Sequence, residues 1–81
     1  MHQKKHSVNV IDFVRTGHQS VFVQISGYDA KLDASFTGEV KFLADRVFGD
    51  IIHYERTHLS PEGREYVERK LLSKYLNGDF S

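Results

Sequence analysis

Residues 37–59 read TGEVKFLADRVFGDIIHYERTHL, and the period found in this stretch decides the fold. Projected at about 100° per residue, Val40, Leu43, Ala44, Val47, Phe48, Ile51, Ile52, Tyr54 and Leu59 fall on one half of a helix. Asp45, Arg46, Gly49, Asp50, His53, Arg56 and Thr57 fall on the other half, with Phe42 as the apolar exception. Thr37 suits an N-cap, and Glu39 suits the positive end of the helix dipole. Gly49 is the weak point, costing roughly 1 kcal/mol against Ala in a helix interior. As a C-cap it would instead leave residues 50–58 as a fourth strand, giving ββαβα. The stripe stays in phase through Gly49, so the spacing predicts one helix over 37–59.

The flanks are read in the same way. Residues 7–16 look extended, with Val8, Val10, Ile11, Phe13 and Val14 supplying β-branched and aromatic side chains. Gly17 opens a turn. Residues 21–26 form a second strand, with Val21, Val23 and Ile25 on one face and Phe22, Gln24 and Ser26 on the other. Residues 31–36 alternate as a third, half-exposed strand. Ser60-Pro61 is a strong helix start, and Asn77-Gly78 a stop, for a second helix over 60–77. Val67, Leu71, Leu72, Tyr75 and Leu76 give that helix its apolar face. The expected fold is α+β in one domain, 1–81. A flexible basic arm (1–6) leads into a three-stranded antiparallel meander (7–36), followed by an αα-hairpin packed on the sheet.

Composition narrows the function. The 81 residues carry 11 Lys+Arg against 11 Asp+Glu and no cysteine. A zero formal charge argues against a whole-protein field for nucleic acid. A chain without cysteine has no disulfide, thiol nucleophile or thiolate metal cage. No apolar run reaches the roughly 18 residues of a membrane span, and the first residues lack the apolar core of a signal peptide. A cytoplasmic setting with no membrane partner is expected.

Few residues suggest chemistry. On the predicted helices, Glu55, His58, Arg64 and Glu68 interrupt the apolar stripes near the Leu59-Ser60 corner. Buried charges must pair or reach solvent, so these four are expected to form a structural or interfacial network. Glu55-x-x-His58 also has the spacing of a carboxylate–imidazole metal pair, which a homodimer would have to complete. His2 and His6, four apart at the terminus, are a further metal candidate. No phosphate loop or nucleophile elbow is present, so no catalytic residue, cofactor or resident metal is expected.

The sheet looks apolar on both sides, with Val8, Val10, Val14, Val21, Val23 and Ile25 in one layer and Ile11, Phe13 and Phe22 pointing away. Surplus apolar surface of this kind usually means association. The expected function is a non-enzymatic binding module, an accessory or inhibitory protein (phage-type proteins include such binders). It would dock a partner protein or a second copy through Ile11, Phe13, Phe22 and Tyr28. The alternative is single-stranded nucleic acid bound by Lys4, Lys5, Arg15 and His18 beside the sheet aromatics.

Overall fold

The computed structural model describes residues 5–80 of the chain. Four strands, β1 (Ser7–Arg15), β2 (Ser20–Asp29), β3 (Ala34–Leu43) and β4 (Arg46–Phe48), form one antiparallel sheet in the order β1-β2-β3-β4. A 3₁₀ turn at Asp50–Ile52 and an irregular segment lead to one helix, α1 (Pro61–Leu76). The α+β class stands, but the predicted helix over 37–59 does not exist. Its first part is the second half of β3, and β3 runs over 34–43 rather than 31–36. The ββαβα alternative also fails, because the fourth strand is 46–48 and residues 50–58 are turn and coil.

The false helical period has a physical origin. Along β3, Phe36, Val40 and Phe42 are buried at two-residue spacing, and Gly38 occupies the missing step. A Cβ on Gly38 would lie 3.1 Å from Ile51 Cβ, so the Ile51 side chain fills the place a β3 side chain would take. A two-residue turn, Ala44-Asp45, then restarts the alternation on β4, where Val47 pairs with Phe42. Strand, turn and 3₁₀ turn together mimic a 3.6-residue stripe.

The core lies between one sheet face and the layer made by α1 and the segment before it. Val8, Val21, Val23, Ile25, Phe36, Val40 and Phe42 meet Ile51, Ile52, Leu59, Val67 and Leu71. Phe42 stacks on Tyr75 at 4.6 Å. Helix α1 starts as its sequence predicts: the Ser60 hydroxyl accepts from Gly63 N–H at 3.0 Å, with Pro61 in the first turn. It ends in a Schellman pair, Gly78 N–H to Tyr75 O and Asp79 N–H to Lys74 O. That ending turns Phe80 back onto Phe13 and Phe42. Leu76, expected on the apolar face, is exposed instead.

Ala44 takes φ 55° in the β3–β4 turn and donates its N–H to Gln19 O at 2.8 Å. The left-handed region costs an L-residue about 1–2 kcal/mol, against about 0.5–1 kcal/mol for the extra freedom of unfolded glycine. Ala44→Gly is therefore expected to stabilise the fold by about 0.5–1 kcal/mol, read as a higher urea midpoint. A lower midpoint contradicts the strained turn.

Candidate functional site

The layer of α1 covers one face of the sheet, and the other face has no layer over it among the described residues. Cross-strand register places the side chains of this open face in rows. The central row crosses all four strands: Val14 pairs with Phe22, Phe22 with Lys41, and Lys41 with Phe48. On one side lies Asp12–Gln24–Glu39, and on the other Ser20–Leu43–Arg46. Val14 is 56% exposed and Phe48 47%, and Leu43 is exposed as well. The Lys41 ammonium sits 5.3 Å above the Phe22 ring centroid. The row is apolar at both ends, with a cation on an aromatic ring at its centre.

Beside it, β3 and the Gly49–His58 segment enclose an open groove of about 500 Å³. Phe22, Lys41 and Phe48 contribute its sheet wall, and Asp50, Arg56 and His58 its rim. Arg56 Nη1 lies 3.5 Å from Asp50 Oδ1.

The interface residues expected from sequence are divided between places. A β-bulge between Val10 and Asp12 makes Ile11 an extra residue and reverses the alternation beyond it. Phe13 therefore turns to the covered face, opposite Val23 and edge-on to Phe80 at 5.4 Å. Val14, expected in the core layer, turns to the open face. Phe22 is on the open face as expected. Tyr28 shares that face but stands six residues along β2, about 20 Å away, and donates its hydroxyl to the Asp33 carboxylate.

The expected corner network is not brought together. Glu55 and His58 lie in turn and coil rather than on a helix, which removes the one-face geometry of Glu-x-x-His. Both are exposed, and no hydrogen bond or ion pair among the described residues joins them to Arg64 or Glu68. Arg64 and Glu68 are half-buried on α1 and line a groove of about 260 Å³ against β4. Among the described residues no group of three or more His, Asp or Glu could hold a metal. His2 and Lys4 lie outside the described residues. Lys5 precedes β1 and Arg15 ends it, about 30 Å apart along an extended strand. Arg15 Nη1 donates to Phe80 O at 3.3 Å, and His18 shares a small cleft with it.

The polar centre of the molecule is a residue that the sequence reading passed over. Asp29, 1% exposed, accepts from Ser60 N–H at 2.7 Å and from the Ser60 hydroxyl. It also accepts from Lys31 N–H at 3.0 Å and Leu32 N–H at 3.2 Å. Burial pushes its pKa up, but the hydrogen bonds from Ser60, Leu32 and Lys31 outweigh that, and the net shift is downward. His6 Nδ1 accepts from Ala30 N–H nearby at 3.1 Å. The carboxylate ties the end of β2 to the positive end of α1, and its satisfied, enclosed oxygens make it a structural group. The available signal was an Asp just before a turn, where its oxygens can accept from N–H groups two and three residues on.

No helix among the described residues is long and apolar enough to cross a membrane. Comparison with protein families, with curated proteins and with solved structures finds no match to this chain.

Proposed function

We propose that the chain is a non-enzymatic binding module that docks a protein through the open face of its sheet. The observation that carries this reading is the row Val14–Phe22–Lys41–Phe48, with Leu43 next to it. Two-layer domains bury an apolar sheet face against a second layer. Here one face has that layer, and the other leaves Val14, Leu43 and Phe48 in water among Asp12, Gln24, Glu39 and Arg46. Aromatic side chains such as Phe22 and Phe48 are what protein interfaces enrich at their cores, and the Lys41 ammonium is held on the Phe22 ring by a cation–ring contact. Nucleic acid is the weaker reading, because Lys5 and Arg15 stand at opposite ends of β1 and do not form one basic track.

A photo-crosslinking amino acid placed at position 22, and separately at the exposed helix position 76, tests the reading in the native cell. Discrete protein adducts from position 22 and none from position 76 are expected. Equal adducts from both positions, or nucleic-acid adducts from position 22, contradict it.

A further inference from the structure

Resting on that reading, we infer that the occupant of the open face is a second copy of this chain, packed face to face about a two-fold axis parallel to the strands. A two-fold interface must be self-complementary, with each residue meeting a partner that meets it back. An axis running between β2 and β3 lays β2 of one copy over β3 of the other and β1 over β4. The central row then meets itself in reverse. Phe22 faces the partner's Lys41 and Lys41 faces the partner's Phe22, repeating between chains the cation–ring contact already made within one. Val14 faces the partner's Phe48 and Phe48 the partner's Val14. In the next row Glu39 meets the partner's Gln24, an acceptor against a donor.

Charge and area agree with this arrangement. The open face carries Asp12 and Glu39 against Lys41 and Arg46, and the chain has 11 charges of each sign, so two copies do not repel at long range. Three strands about 30 Å long and the three-residue β4, spaced about 4.8 Å apart, present roughly 500 Å². Stable interfaces use about 800 Å² per partner and weaker ones less. The dimer is therefore concentration-dependent rather than permanent. A two-fold axis lying across the strands would put Lys41 on the partner's Lys41 in the apolar register, which is why the axis runs along them.

The absence of cysteine makes the test clean. Val14→Cys and Phe48→Cys are made as separate full-length variants, mixed and treated with a short bis-maleimide. Facing sheets pack about 10 Å apart, beyond the roughly 7 Å that a direct disulfide spans and within reach of that linker. The expected product is the cross-linked pair of unlike variants, with little of either like pair. Sedimentation of the unmodified chain should show a dimer forming below roughly 1 mM. Phe22→Lys, which sets a new ammonium against the partner's Lys41, should weaken it at least about 100-fold. Adding Lys41→Glu should restore the dimer, and circular dichroism should show all variants folded. Cross-links between like variants only overturn the proposal, as does a chain that stays monomeric throughout. If a monomeric chain still yields foreign-protein adducts from position 22, the second copy is ruled out and the docking reading stands. If it yields none, both fall.

Discussion

Asp29→Asn is expected to destabilise the protein by about 3–4 kcal/mol, a larger effect than any surface change on the open face. The carboxylate is enclosed and accepts from Ser60 N–H, the Ser60 hydroxyl, Lys31 N–H and Leu32 N–H. An amide has one accepting oxygen. Whichever way the substituted side chain turned, its NH₂ would face an N–H that now donates to Asp29. The Ser60 hydroxyl both donates to Asp29 and accepts from Gly63 N–H, so the disturbance reaches the first turn of α1. Urea denaturation followed by circular dichroism reads the loss. A variant within about 1 kcal/mol of the wild type would show that solvent, not these donors, satisfies the carboxylate.

The same residue gives that comparison a pH dependence. Burial at Asp29 favours the neutral acid, and the hydrogen bonds from Ser60, Leu32 and Lys31 favour the anion more strongly, so the folded pKa lies below the ordinary 3.8. A group whose pKa is depressed on folding stabilises in full above its unfolded value, and that contribution is lost as pH falls through the folded value. The gap between wild type and Asp29→Asn should therefore be constant at neutral pH and close as pH drops below 3.8. His6 Nδ1 lies 3.8 Å from Asp29 Oδ1, so both proteins are also compared in a His6→Asn background. A gap that persists unchanged down to about pH 2.5 would mean that the anion is not what the donors hold.

The parts of the fold legible in the sequence are those whose signals are local. Ser60-Pro61 and Asn77-Gly78 mark α1 because capping is settled within a few residues. Val21, Val23 and Ile25 fix the covered face of β2 because a strand with one face buried must alternate. The illegible parts depend on contacts between distant segments. Gly38 breaks the alternation of β3 only because Ile51, thirteen residues later, sits over it. The bulge at Ile11 moves Phe13 and Val14 to opposite faces from those expected, and nothing adjacent in sequence announces it. The candidate site follows the same division. That Phe22 stands on the uncovered face was legible, but that face is mixed rather than apolar, with Asp12, Gln24, Glu39 and Arg46 around its central row, and the row itself required the register of all four strands. Of the corner group, Glu55 and His58 were placed by the helix assumed for 37–59 and lie apart without it, whereas Arg64 and Glu68 stand half-buried on α1 as its periodicity implied.

Gly49→Ala tests that reversal with opposite signs. In a helix spanning 37–59 the substitution would replace a flexible interior residue with the best helix former and gain roughly 1 kcal/mol. In the structure Gly49 takes φ 152° and ψ 153°, which L-residues essentially do not adopt. A Cβ there would lie 2.8 Å from Glu39 O and 3.3 Å from Val40 Cα, both backbone atoms of β3 that cannot move aside as a side chain tip would. Gly49 also accepts from Ile52 N–H at 3.2 Å, closing the turn that sends Ile51 and Ile52 into the core. Dihedral strain and backbone contact together give an expected loss of about 3 kcal/mol. Denaturant midpoints read its size, and hydrogen exchange should locate it, with Ile52 and Val40 amides losing protection before those of β1 and β2. A neutral or stabilising Gly49→Ala would mean that the chain around this residue is helical after all, and that the β3–β4 hairpin and the open face built on it are not the native arrangement.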